Sequence, residues 1–200
     1  MEHIWTVDWF THNTTNFADI KKRLGRVESI LEIGSFEGRA TCWMLENMLK
    51  NTGTITCIDP FTGIDDVRND PDNLKDSELE ARFNRNVNLS KKPTQTVNVV
   101  PHTSYQALAM LIGTGAQYDF IYVDGNHTGE AAMTDACMCW GLLKPGGIML
   151  FDDYFWDHAP DHLDRPKAAI DAFMNTFIRR FTVTGVGYQI AIQKHSLETA

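Results

Sequence analysis

The 200-residue chain is short of positive charge: 18 Lys and Arg stand against 26 Asp and Glu, a formal net charge of −8. Non-specific binding to nucleic acid or to an anionic membrane depends on a basic field, so neither is an expected partner. The basic clusters that do occur, Lys21 to Arg26, Lys91 with Lys92, and Arg179 with Arg180, sit at predicted element ends and read as solvated helix termini. No apolar run approaches the length of a membrane span, and the opening Met1-Glu2-His3-Ile4-Trp5 has neither the basic start nor the apolar segment of a secretory signal. The expected location is cytoplasmic. Cysteine is sparse too. Cys42, Cys57, Cys137 and Cys139 fall inside predicted helices or a strand with no Cys-x-x-Cys pair, which argues against a zinc site or a disulfide framework and for buried free thiols. Internal repeats and low-complexity tracts are absent.

What is present is ordinary core-forming material, 43% hydrophobic and 22% charged, enough for a single domain over 1–200 without staples. Residues 1–28 read as an N-terminal arm and helix. Within them 1–16 carry Trp5, Trp9 and Phe10 without a clean period, as in a segment that covers the domain, lines a cleft or makes a homo-oligomer contact, and 17–24 read as a short amphipathic helix. Strands are expected at 29–33, 54–58, 96–100, 118–123 and 148–151, with helices at 38–50, 77–87, 104–111, 128–143 and 166–177. Lys144-Pro145-Gly146-Gly147 reads as a stop and turn, and 180–184 with 188–194 as a closing antiparallel pair. Residues 61–93 turn polar, with Asp65, Asp66, Asp70, Pro71 and Asp72 in a loop too long for an ordinary connection, a candidate lid or a solvated excursion. Strands alternating with helices imply a Rossmann-like α/β fold: an open, mostly parallel seven-stranded sheet, helices on both faces, and a C-terminal antiparallel strand pair.

In such a sheet ligands bind beyond the carboxyl ends of the strands. The first strand runs into Glu32-Ile33-Gly34-Ser35-Phe36-Glu37-Gly38, where Gly34 and Gly38 admit positive φ and close approach of a ligand to the backbone. Glu32 and Glu37 flank the helix start with carboxylates, which disfavours a pyrophosphate there and suits a zwitterionic or cationic ligand. Asp59, which ends the second strand ahead of Pro60, fits the diol of a ribose, since one carboxylate accepts from both hydroxyls. An acid preceding a turn proline is the plainer alternative. The remaining strand ends are Thr103-Ser104, Asp124-Gly125-Asn126-His127 and Asp152-Asp153-Tyr154. If the fourth and fifth strands are neighbours, Asp124, Asp152 and Asp153 repel one another unless a cation lies between them, and an oxygen-only set suits Mg²⁺ first.

Together Leu31 to Gly38, Asp59, Tyr118 to His127, Leu142 to Gly147 and Phe151 to Tyr154 resemble the class I S-adenosylmethionine-dependent methyltransferases. More narrowly they resemble the small metal-dependent O-methyltransferase branch that includes macrocin O-methyltransferase-like and cephalosporin-hydroxylase-like proteins. The resemblance spans roughly Ser29 to the C-terminus in order and spacing. It implies that Glu32, Gly34, Ser35, Phe36 and Gly38 surround the methionine part of S-adenosylmethionine. Asp59 and Pro60 would then lie at the ribose, Thr103 and Ser104 near the adenine, and Asp124 beside the cofactor. It also implies a divalent ion on Asp124, Asp152 and Asp153. His127 would be the base that takes a proton from a small hydroxylated acceptor such as a sugar, polyol or catechol. Two departures from the branch stand on the acceptor side: Asn126 where an acid is common, and Thr128-Gly129-Glu130 where a tyrosine often precedes the acid. The competing readings are a non-catalytic module binding the same cofactor and a nicotinamide-dependent dehydrogenase on the same sheet.

Overall fold

The computed structural model describes residues 2–62 and 78–196. The expected acidic loop and the lid assigned to it fall largely on 63–77, outside the described residues. Seven strands form one sheet: β1 (Ser29–Ile33), β2 (Thr54–Ile58), β3 (Thr96–Val100), β4 (Tyr118–Val123), β5 (Leu143–Phe151), β6 (Phe181–Val186) and β7 (Ile190–Lys194). Their order is β3-β2-β1-β4-β5-β7-β6, with β1 to β5 parallel and β7 antiparallel to both of its neighbours. The order reverses between β1 and β4, which places a switch-point crevice between their carboxyl ends.

Alternation along the buried strands separates two core layers. On β4, Phe120 and Tyr122 point to the side covered by α1 (Thr14–Leu24), α2 (Arg39–Trp43) with its continuing π-helical turn Met44–Met48, and α3 (Leu79–Ser90). Ile121 and Val123 point to the other side, under α4 (Ser104–Thr114), α5 (Gly129–Leu142) and α6 (Pro166–Phe177). Phe17 of α1 sits against both Phe120 and Tyr122, ring centroids 5.8 and 5.0 Å away, so the first helix is part of the core that supports the β4 end. Among the described residues no helix is long and apolar enough to cross a membrane.

Two expectations need correcting. Lys144-Pro145-Gly146-Gly147 does not precede a strand; it lies inside one. Tyr118 pairs with Leu143 and Phe120 with Ile148, so these four residues bulge out of the ladder and resume it. The bulge has a purpose at the sheet's amino end: Lys144 Nζ reaches Asp119 Oδ1 at 2.7 Å while Asp119 Oδ2 accepts the N–H groups of Glu28 and Ser29. Burial alone would raise the Asp119 carboxyl, but these donors and the Lys144 charge bring it below the usual carboxylate range. The second correction concerns the thiols. Cys42, Cys57 and Cys139 are buried, whereas Cys137 is exposed on the outer face of α5.

Candidate functional site

The β1 end is built around a buried carboxylate. Glu32 shares its strand face with Ile30, towards α2, and Thr41 of that helix donates to Glu32 Oε2 at 2.5 Å while Ser35 donates to the same oxygen at 2.8 Å. Oε1 has no partner, although the residue is 0% exposed. Burial raises the Glu32 carboxyl to about 7, with the Thr41, Ser35 and Cys57 side chains opposing and the Asp59 charge adding to it. A buried acceptor left open beside a glycine turn is what a bound ammonium would satisfy.

Close packing requires both glycines of the turn. Gly34 has φ 81°, and a Cβ there would lie 1.7 Å from the carbonyl oxygen of Asp124; at Gly38, φ 82°, it would meet the Phe83 ring of α3 at 2.9 Å. Gly34 thus lets the β1 turn lie directly against the β4 end. Asp59 closes the turn from the other side. Its Oδ2 accepts from the Phe36 N–H at 2.8 Å and its Oδ1 from the Phe61 N–H at 2.7 Å, and burial raises its pKa despite these bonds. Phe36, Phe61 and Asp153 are the three non-glycine residues with positive φ among those described, and each follows the carboxyl end of β1, β2 or β5. Backbone strain of this kind gathers at ligand sites. Ser35 is buried, Phe36 and Ser104 are half-buried, and Pro60 and Thr103 are exposed at the same edge.

Glu37 has a second engagement: its carboxylate accepts from the Thr6 N–H, the Thr6 hydroxyl and Arg82 Nη1. It therefore fastens the N-terminal arm and α3. The arm does cover the turn: Val7, Trp9 and Phe10 close a cavity of about 60 Å³ over Gly34, Phe36 and Asp124, with Trp9 5.3 Å from the Phe36 ring. A larger cavity, about 530 Å³, lies elsewhere, between α1 and the β6–β7 hairpin, and Gln189 of its lining donates to Asp152.

At the β4 and β5 ends the structure gathers the expected acids, with one rearrangement. Asp124, His127 and Asp153 each place a ligand-capable atom within 4.8 Å of the other two. His127 Nε2 lies 2.9 Å from Asp153 Oδ2, and its ring is 5.3 Å from Trp156. Asp152 is not of this group. Its Oδ2 accepts from Gln189 Nε2 at 3.0 Å and Asn13 Nδ2 at 3.3 Å, while Asp153 N–H holds its Oδ1. The Tyr122 hydroxyl contacts Oδ2 of both Asp124, at 2.8 Å, and Asp152. One hydroxyl proton cannot serve two carboxylates, so this arrangement is short of positive charge. Accordingly burial, with the neighbouring Asp152 and Asp153, raises Asp124 well above the carboxylate range, and burial with Asp153 raises Asp152. Burial pushes Asp153 upwards too, but its bond to His127 and the imidazole charge bring it below its ordinary value. Tyr122 could be anticipated from its place two residues before Asp124 on one strand face. Asn13, Gln189 and the buried Asp135 of α5 carried no local signal.

The comparisons with known proteins follow this geometry. Residues 31–154, from mid-β1 past β5, match a family described as Methyltransferase domain. Among solved structures the chain resembles a candidate O-methyltransferase from Klebsiella pneumoniae, with TM-score 0.66, 19% identity, and 96% of this chain and 84% of that one covered. It resembles the O-methyltransferase of Bacillus cereus in complex with SAH at TM-score 0.65 and 16% identity, covering 95% and 84%. TomG of Streptomyces achromogenes, an O-methyltransferase of tomaymycin synthesis in complex with SAM, aligns at TM-score 0.61 and 19% identity, covering 92% and 79%. No curated protein matches the sequence at a significant level.

Proposed function

Because the chain belongs to the methyltransferase domain family, we propose that it moves the methyl group of S-adenosylmethionine to a hydroxyl oxygen of a small acceptor, beside a divalent cation. The observation that carries this reading is Glu32, a fully buried carboxylate with one oxygen unpartnered, next to a turn that presses against Asp124. The Bacillus cereus and Streptomyces achromogenes structures hold SAH and SAM, which favours the same cofactor here.

The cofactor supplies, when bound, an electrophilic methyl group on a sulfonium. The chain's part is to position it. Glu32 Oε1 would take the cofactor's ammonium. The Gly34 to Gly38 turn would shape the methionine subsite under Trp9. Asp59 Oδ1 and Oδ2 keep lone pairs for the ribose hydroxyls after accepting the Phe36 and Phe61 N–H groups. Thr103 and Ser104 would face the adenine. A divalent ion fits the β4 and β5 ends because Asp124 and Asp152 share a single hydroxyl donor there, and Asp124 and Asp153 would hold it. Such an ion, when bound, lowers the pKa of a coordinated hydroxyl. Acceptors with adjacent oxygens, such as sugars, polyols or catechols, suit chelation.

The test is transfer of labelled methyl from S-adenosylmethionine to a pool of hydroxylated metabolites, with divalent ions and then with chelator. Transfer abolished by chelator supports the whole reading, and transfer indifferent to it removes the cation. Cofactor binding with no product from any hydroxylated pool would indicate a non-catalytic binding module.

A further inference from the structure

We propose that His127 is itself a ligand of that divalent cation, with Asp124 and Asp153, so that the site is a mixed nitrogen and oxygen one. This rests on the reading of the β4 and β5 ends as a cation site, and it replaces the proton-accepting role that the position of His127 in the sequence suggested.

Geometry separates the two acids of the Asp152-Asp153 pair. Asp153 joins Asp124 and His127 in a group whose ligand atoms lie within 4.8 Å of one another. Asp152 is turned to the amides of Gln189 and Asn13, which donate to its Oδ2. An oxygen already accepting two side-chain amide donors and facing the Tyr122 hydroxyl is a poor candidate for the inner sphere of an ion. The imidazole fills the third place, with Nε2 2.9 Å from Asp153 Oδ2. The Trp156 ring lies 5.3 Å from the imidazole, and the Trp156 backbone N–H donates to the Asp153 carbonyl oxygen at 2.9 Å, so one residue braces both the imidazole and the aspartate's backbone.

An independent observation points to a cation here. Asp135, on α5, is 1% exposed, and neither of its carboxylate oxygens has a hydrogen-bond partner. Burial raises its pKa to about 6, with the nearby Ser104 hydroxyl opposing. Asp135 lines the same small cavity, about 20 Å³, as Asp124, His127, Asp152 and Asp153, and no lysine or arginine is among the described residues that line it. A fully buried, unpartnered carboxylate facing that cavity is explained by an ion with its bound water, since a space of this size admits one water.

The donor set changes the ion. Three carboxylates would favour Mg²⁺, whereas an imidazole in place of one of them favours Mn²⁺, Fe²⁺ or Co²⁺. It also commits a histidine nitrogen to the ion, so that nitrogen takes no substrate proton.

The test uses the full chain and Mn²⁺ alone, without cofactor or acceptor. Pulsed electron paramagnetic resonance of bound Mn²⁺ reads a directly ligated nitrogen, and protein labelled with ¹⁵N only at histidine shifts that signal without any substitution. We expect a histidine nitrogen coupling, lost in His127→Ala and retained in Asp152→Asn. We also expect Co²⁺ affinity, by equilibrium dialysis, to fall at least about tenfold in His127→Ala, the loss that even outer-shell partners produce, with Mg²⁺ affinity falling less. Mn²⁺ bound without histidine coupling overturns the proposal, as does absence of Mn²⁺ binding. Methyl transfer alongside either result would leave the methyltransferase reading intact. Histidine coupling in a chain that neither binds S-adenosylmethionine nor transfers methyl would sink that reading and spare this one.

Discussion

Gly34→Ala tests the claim that the β1 turn and the β4 end form one unit. At φ 81° an alanine carries the left-handed backbone penalty, about 1–2 kcal/mol. Its Cβ would also stand 1.7 Å from the Asp124 carbonyl oxygen, and backbone on both sides leaves no flexible side chain to yield. Overpacking of that kind costs about 1–3 kcal/mol, for a sum of about 2–5 kcal/mol. Gly115→Ala is the control. Gly115, the C-cap of α4, is left-handed with φ 72° and ψ 22° and has nothing within 4 Å of the added Cβ, so it carries the backbone penalty alone. Urea denaturation of the three proteins gives the comparison, and a shift in midpoint at unchanged slope identifies a stability change. The Gly34 variant should be the weaker of the two. It should also lose affinity for S-adenosylmethionine and for the divalent ion, because relieving the clash moves Asp124. Equal costs at Gly115 and Gly34 would refute the argument, since the contact would then be worth nothing.

Three further outcomes are expected. Glu32 is raised from 4.5 to about 7 in the folded chain, so its contribution to stability is complete below about pH 4.5 and is lost as pH rises through 7. Over that window the cofactor-free protein should lose up to about 3 kcal/mol, and Glu32→Gln should flatten the profile; identical profiles in urea titrations at several pH values would contradict the assignment. Glu37→Ala removes the acceptor of the Thr6 N–H, the Thr6 hydroxyl and Arg82 Nη1, for a loss of about 1–3 kcal/mol. Limited proteolysis should then cut the arm before Phe10 faster, and an unchanged digestion rate would show that the arm is held elsewhere. Asp119 is depressed in the folded state, so its contribution is present above the ordinary aspartate pKa and disappears as pH falls through the folded value. Lys144→Met should shrink that acid-labile component, and a variant that unfolds in acid like the parent would exclude the bulge as its source.

β1 to β4 were legible to the residue because each is an apolar run closed by a turn signal, and α6 because Pro166 marks its first turn. β5 was legible only from Ile148 onwards. A Lys-Pro-Gly-Gly run reads as a turn, and nothing local says that the ladder pauses there and resumes on both sides. The strand-end acids were legible by the same logic as the strands, since position after a strand determines which edge a residue occupies. The direction each side chain takes at that edge was not. Glu32 and Glu37 looked alike in sequence, yet one faces the crevice and the other is claimed by Thr6 and Arg82, more than thirty residues away in either direction. Asp152 and Asp153 are neighbours in the chain and part company because Asn13 and Gln189, from opposite ends of the molecule, converge on one of them. Long-range donors of this sort leave no trace in a local pattern. The positive φ of Gly34 and Gly38 was legible, but their packing against Asp124 and Phe83 was not.

The central claim is that the crevice between β1 and β4 holds S-adenosylmethionine with Glu32 at its ammonium. Calorimetric titration of the full chain with S-adenosylmethionine, repeated on Glu32→Gln and with NAD as the alternative ligand, tests it most directly. The account predicts saturable one-site binding of S-adenosylmethionine, markedly weakened in the variant, and none of NAD. Binding of NAD in the absence of S-adenosylmethionine binding, or an affinity for S-adenosylmethionine that Glu32→Gln leaves untouched, would contradict it.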